Sequence, residues 1–512
     1  MRIQHNRLLI NLFSVLLFCI FINSLSATSY HVRSTGNDNF NGLTFSTSFK
    51  TIQTATNKVV AGDSVLVYDG NYKGFDHFYK NSGTVNNPIV YFAMGSNVII
   101  NQSCGRGFDG LNIEGSHFIE VNGFKVYRIA DQNGSGEDGI RAVLANHITI
   151  RNCEVDSCYR GIFTGYTDDF LAENNICKRS YGEHGIYVSN NSDRVIVRNN
   201  ICFGNTKAAG IQLNPDLGSG APGISVDVKI YNNLCYNNRI GLNLQGIYNS
   251  LVYNNLIYNN GLSGGGNGMT FFHGDAATGC KNVKVYNNTV VVPSASQWCI
   301  LAIESDSLEV INNILLSAST KGSLDIETTC TNYIGNYNLL NDRITVNQGS
   351  SYINFAEWQR LGNDLNSILV KDNATVFTSL LNHDYHLAQN SVALNSGSAV
   401  VFSVVLKDLD GNLRPQGTSY DIGCYETKGA TGLKESFQDP IYKPIFNGSI
   451  MSFSNLKEGY LVELFNLKGQ RIGSGLQFET NSFETGIYIY HIISLNTRQR
   501  MGSGKLFLVS SN

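Results

Sequence analysis

The chain has 512 residues with 51 Gly and only 7 Pro, a length that permits a large core and a composition that favours short strands joined by turns over helical bundles. Its 37 Lys and Arg stand against 40 Asp and Glu. This mildly acidic balance excludes a partner held mainly by phosphate charge, so no nucleic acid is expected.

Residues 1–27 carry Arg2 and Arg7, an apolar run over 12–22, and the small-residue stretch Ser24, Leu25, Ser26, Ala27. This is the pattern of a cleaved secretory signal, and the apolar run is too short for a transmembrane anchor. The mature chain is therefore read as a secreted protein, extracellular or on the outer-membrane surface. Next, SFKTIQTATNKVVAGD places Phe49, Ile52, Ala55 and Val59 at helical spacing, which predicts a helix capping the end of a stack.

The middle of the chain repeats. VIVRNNICFGN, VKIYNNLCYNN, SLVYNNLIYNN, VKVYNNTVV and LEVINNILL each place paired asparagines after an alternating apolar strand. The second asparagines, Asn175, Asn200, Asn233, Asn255, Asn288 and Asn313, follow one another at steps of 25, 33, 22, 33 and 25 residues. A second ladder, DGIRAV, RGIFTG, HGIYVS, AGIQLN, IGLNLQ and NGMTFF, runs in phase with them. Two strand motifs per period exclude helical solenoids and predict an all-β parallel β-helix over 28–427, closed at its far end by the region from Tyr352 to Glu426. Alternation sends Ile140, Ile162, Ile186, Ile211, Leu242 and Met269 inward. Ten cysteines remain after the leader; the spacing of Cys153, Cys177 and Cys202 predicts stacked buried thiols rather than disulfides.

These features resemble the bacterial right-handed β-helix proteins grouped with pectate lyases and chondroitinase B-like lyases, and the resemblance implies a right-handed parallel β-helix. The opening YHVRSTGNDNFNGLTFSTSFKTIQTATNKVVAGDSVLVYDGNYKG and the closing DYHLAQNSVALNSGSAV with KDLDGNLRPQGTSYDIGCYE carry the resemblance. After a linker over 428–440, residues 441–512 form a separate unit. Its GYLVELFNLKGQRIGSG, FETGIYIYHI and GKLFLV resemble the type A sorting domain of type IX secretion, although the usual Asn-Pro near its start is replaced by DPIYKPIFNGSI. The resemblance implies the type IX secretion machinery as a partner and a small C-terminal β-sandwich-like fold. The mature protein is read as a monomer.

With Ile186 inward, Tyr187 faces solvent, and the same parity exposes Arg141, Phe163, Gln212, Asn243 and Thr270 along one sheet. Aromatic, cationic and amide groups in a row suit a groove for a polysaccharide. Glu137, Asp138, Arg160, Glu183 and His184 stand at the strand starts. In a uronate lyase, Arg160 or Arg141 would neutralise the substrate carboxylate, His184 would take the C–H proton and Tyr187 would protonate the leaving oxygen, with Glu183 orienting the imidazole. The alternatives are an inverting glycoside hydrolase using Asp138 and Glu183, separated by two coils, and a noncatalytic glycan-binding surface protein.

Calcium is common in lyases of the resembling group, and Asp168, Asp169, Asp193 and Asp216, following three successive strands, are the candidate ligands for Ca2+. The lysine of calcium-dependent pectate lyases has no counterpart in AGIQL or NGMTF. His273 and Asp275 are placed at the border of a subsite, and Asp408, Asp410, Gly411 and Asn412 are read as a turn.

Overall fold

The computed structural model describes residues 27–129, 137–220, 222–274 and 277–427 and, beyond them, 444–447, 450–453, 456, 459–466, 470–483, 486–495 and 500–508. Residues 1–26 of the expected leader, the expected linker over 428–440 and Asp275 lie outside the described residues. The chain divides into two units, Met1–Gly429 and Ala430–Asn512.

Each coil of the first unit contributes three strands, one more than the two motifs legible in the repeat. In one coil Asp138–Val143 belongs to the first sheet, Ile148–Arg151 to the second and Glu154–Asp156 to the third. These sheets hold 11, 13 and 12 strands, and the strands of successive coils pair in parallel. The third strand escaped the alternation pattern because three residues with one inward side chain carry no period. Ile140, Ile162, Ile186, Ile211, Leu242 and Met269 stand in register, all fully buried in one continuous core.

The glycine ladder of the repeat has a steric cause. A Cβ on Gly161 would lie 2.2 Å from the carbonyl oxygen of Gly185 in the next coil, so only glycine permits the stacking at this corner.

The paired asparagines divide the work of the turn between the second and third sheets. The first of each pair, such as Asn174, Asn199 and Asn232, takes the left-handed conformation, with φ near 55°, which asparagine tolerates better than most residues. The second is buried and forms a ladder. Asn255 Nδ2 donates to Ile230 O and Asn288 Oδ1, both at 2.9 Å, while its Oδ1 accepts from Asn233 N and Nδ2 at 3.0 Å. The ladder runs from Asn175 through Asn338, where Nδ2 reaches the buried Asp364. Asn255→Ala strands donors and acceptors on both neighbouring coils. It is expected to lower the unfolding free energy by at least about 1–3 kcal/mol, read as a lower urea midpoint at unchanged slope.

Cys177, Cys202 and Cys235 form the cysteine column, with Val155 before them and Ile257 after. Cys153 is not in it. Its backbone N donates to Asn175 Oδ1, so Cys153 occupies a rung of the asparagine ladder; the 24-residue step from Cys153 to Cys177 mixes two positions of the repeat. All ten cysteines of the described residues are free thiols.

At the N-terminal end the helix is short, Ile52–Thr56, capped by Thr51, but Phe49, Ile52, Ala55 and Val59 are all buried as expected. At the far end, the helix Phe355–Arg360 seats Phe355 and Trp358 against the main core. The rest of the closing region runs back along the flank instead. Val370, Val376, Phe377, Tyr385, Ile422 and Cys424 join a separate apolar cluster with Leu256, Val291, Ile314 and Leu316 of the third sheet. Side chains of turn asparagines bind this segment: Asn254 donates to Lys407 O, Asn287 to Asp421 O and Gly423 O, and Asn312 to Ser398 O.

The second unit holds two antiparallel sheets. Three strands, Pro444–Asn447, Ile450–Phe453 and Gln477–Glu479, form one; Tyr460–Phe465, Arg471–Gly475, Gly486–Ser494 and Arg500–Leu508 form the other. Met451, Val462, Leu464, Tyr490 and Ile492 make its core.

Candidate active site

Two columns of the first sheet build the site. Along the strand starts stand Asp109, Asp138, Arg160 and His184 on successive coils, because Gly110 N bonds Asp138 O, Asp138 pairs in register with Arg160, and Gly161 N bonds His184 O. Beside them the outward column reads Asn112, Arg141, Phe163, Tyr187, Gln212, Asn243 and Thr270. A cleft of about 420 Å³ opens where the columns meet, its lining including Phe78, Arg106, Asp109, Asp138, Arg141 and Phe163.

Sequence reasoning missed Asp109, Glu114, Phe78 and Arg106. A signal for Asp109 existed: FDGLNI repeats the Asp-Gly step of EDGIRA one coil earlier.

Asp109 and Asp138 form a buried carboxyl pair at the floor. Asp109 Oδ1 accepts from Asp138 N at 3.0 Å. Burial, reinforced by the charge of Asp138, pushes the Asp109 carboxyl well above the ordinary carboxylate range. Burial raises Asp138 too, against the pull of Arg160 and Arg141. Burial thus favours the protonated form of both carboxyls.

The arginines are held but not equally spent. Arg160 grips Glu183 with Nε at 2.6 Å and Nη2 at 3.0 Å, and turns Nη1 to Asp138 at 3.4 Å. Burial works to raise Glu183, but these bonds and the guanidinium charge outweigh it and hold that carboxyl below its usual range. Arg141 uses Nη1 for Asn112 and Glu114, at 2.7 and 2.6 Å. Its Nη2 makes no hydrogen bond among the described residues, and its side chain is 24% exposed.

His184 lies at the start of its strand, edge-on to Tyr187 at 4.8 Å. Its Nδ1 accepts from Ala209 N at 3.1 Å. Burial lowers its pKa to about 4, with Glu183 opposing and Arg160 assisting. The ring is thus neutral with its proton on Nε2, a hydrogen-bond donor rather than the base expected from sequence. Tyr187 also meets Phe163 edge-on at 5.3 Å, and the Arg160 guanidinium lies over the Phe163 ring at 4.9 Å.

The amide half of the expected groove is closed on itself. Gln212 and Thr270 are buried; Asn243 donates to Gln212 Oε1 at 2.5 Å, and Thr270 donates to Asn243 Oδ1. His273 stands five coils from Asp138, exposed and paired with Glu304 at 2.7 Å.

The acidic column serves the turns. Asp168 accepts from Asp193 N at 2.9 Å, Asp193 accepts from Val226 N at 2.8 Å, and Asp216 accepts from Gly218 N at 2.7 Å. Asp169 is paired with Arg194 at 2.8 Å. Among the described residues no three His, Cys, Asp or Glu side chains converge as a metal set; the carboxylates of this column are engaged by backbone N–H groups and by Arg194. Asp193→Ala removes an acceptor from the Val226 N–H and is expected to cost about 1 kcal/mol. The loss of thermal stability should be the same in chelator and in excess calcium.

In comparisons with known proteins, residues 56–270, less than half of the chain, match a family described as periplasmic copper-binding protein (NosD). No curated protein matches the sequence. Among solved structures, a pectate lyase, Pel9A, is 16% identical, with 79% of this chain and 97% of that one covered at a TM-score of 0.48. XylC, determined with xylose, is 11% identical over 78% and 99% at 0.49. An alginate lyase from a Paenibacillus strain is 17% identical over 55% and 94% at 0.38. At these values the likenesses carry no argument about chemistry.

Proposed function

We propose that this chain is a secreted polysaccharide lyase that cleaves a uronate-containing chain by β-elimination in the Asp109–Asp138 cleft. The observation that carries this reading is the buried carboxyl pair of raised basicity beside Arg141, whose Nη2 is open to a substrate carboxylate. Arg141 binds that carboxylate and withdraws charge from the adjacent carbon. The ionised member of the pair takes the acidified C–H proton, a carbon–carbon double bond forms, and the glycosidic C–O bond breaks. The departing oxygen takes a proton from Tyr187, beyond Arg160 along the groove.

One observation favours a second reading. Asp138 is raised and Glu183 lowered across Arg160, the divergence expected of an acid and a base. Arg160 bridges them, bonding Glu183 at 2.6 Å and Asp138 at 3.4 Å, so the bonded oxygens lie at most about 8 Å apart, within the range for inverting hydrolysis. Product analysis after incubation with uronate-containing and neutral polysaccharides decides between them. An ultraviolet-absorbing unsaturated end supports elimination, a saturated reducing end replaces it with hydrolysis, and binding without cleavage leaves a glycan-binding protein.

No helix among the described residues is long and apolar enough to cross a membrane, which says nothing of β-barrels. The leader pattern supports export, and the strands of the second unit support its reading as a type IX sorting unit. Deleting 441–512 is expected to hold the protein in the periplasm; surface display of the truncated chain, followed by surface proteolysis, would count against that role.

A further inference from the structure

A second concavity, of about 590 Å³, lies on the outer face of the second sheet. Its floor is one column of that sheet, Ile196, Lys229, Leu251 and Lys284, on four successive coils in register. Apolar and cationic side chains therefore alternate along the axis. The two lysines are two coils apart, roughly 10 Å at the spacing of parallel strands. Neither forms an ion pair among the described residues, whereas the nearby Lys281 is paired with Asp306. Beside this floor runs a row of left-handed turn residues, Asp169, Arg194, Asp227, Asn249 and Asn282. Asp169 and Arg194 neutralise each other, and Asn282 donates to Asn249 at 2.8 Å. Asp227 is the remaining carboxylate in the lining.

We infer that this face is a noncatalytic binding site for an extended acidic polysaccharide lying parallel to the coil axis. An extended chain with near two-fold symmetry presents equivalent groups on the same side at every second sugar. A carboxylate or sulfate on those sugars meets Lys229 and then Lys284, while the intervening sugar rests its apolar face on Leu251. Asn249 and Asn282 supply hydrogen bonds to ring hydroxyls from the wall. Asp227 disfavours additional anionic groups near Lys229, which suits a charge on alternate sugars better than one on every sugar. The site is carried by this column alone and does not depend on turnover in the first cleft; the two readings share only the class of ligand.

The test uses the full chain in affinity electrophoresis through gels containing polygalacturonate, alginate, a sulfated glycosaminoglycan or neutral dextran. Wild-type protein should be retarded by at least one acidic polymer and not by dextran. The Lys229→Ala/Lys284→Ala double variant should lose most of that retardation, by about tenfold or more in apparent affinity, and more sharply at low than at high salt. Asp138→Asn should keep the retardation while losing turnover, which separates this site from the cleft. Equal retardation of the double variant would overturn the proposal, as would the absence of retardation in wild type. Lysine-dependent sedimentation with phosphatidylglycerol vesicles but no polymer retardation would assign the face to a lipid surface instead.

Discussion

Arg414→Ala should lower the free energy of unfolding by about 3–5 kcal/mol, the range for removing one partner of a buried ion pair. Arg414 and Glu426 are fully buried and meet at 2.8 Å. Arg414 also donates to the carbonyls of Asp421 and Gly423 at 3.2 and 2.7 Å, and Glu426 accepts from Gln416 N and Asp421 N at 2.9 and 3.1 Å. Loss of the guanidinium leaves these carbonyls short of donors and Glu426 as an unpaired buried acid. Because burial raises Glu426, the alanine variant should lose less stability in acid, where that carboxyl takes a proton. An Arg414→Met/Glu426→Gln double variant should recover much of the loss. Guanidinium denaturation of the three proteins measures this, and a single-variant loss under about 1 kcal/mol would show that the pair is not holding the closing segment.

Asp138→Asn should cut turnover by about 10² to 10⁴-fold, the usual contribution of a positioned proton-transfer group. It should also make the protein relatively more stable in alkali. The sign follows from the raised folded-state values of the Asp109–Asp138 pair, about 8 and about 7, against an ordinary value near 4. Stability linked to the retained proton is fully present below about pH 4 and is lost as pH rises through about 7 to 8. An amide carries no such penalty, so the variant's melting temperature minus that of wild type should become more positive between pH 5 and pH 9. Wild-type turnover should move in the opposite sense, rising with pH as the base ionises. Unchanged turnover in a folded Asp138→Asn protein would remove the pair from the mechanism.

Much of the solenoid was legible because stacking imposes the same demand on every coil. Asn175 to Asn313 and Ile140 to Met269 each solve one recurring packing problem, so periodicity exposes them. The third strand, the rung held by Cys153 and the flank course of the closing segment were hidden by short strands, near-equal spacings and contacts over 86 to 153 residues of sequence. At the site, Arg160, Asp138 and Glu183 do converge as their phase required. His184 offered no such guide, since the backbone N–H of Ala209 in the next coil determines which ring nitrogen keeps the proton. Gln212 and Asn243 satisfy the outward parity but bond one another, which alternation cannot reveal.

The flank segment changes how load would travel through the stack. Coils joined only to their neighbours peel one at a time, each rupture exposing the next edge. Lys407, Asp421, Gly423 and Ser398 instead tie the turns at Asn254, Asn287 and Asn312 to one strap, and Cys424 N adds a bond to Thr289 Oγ1 at 3.0 Å. Force entering from the C-terminal side must shear several of these ties together before any coil beneath them can unwind, so this third of the solenoid yields as a block while the uncovered coils retain the freedom to fray.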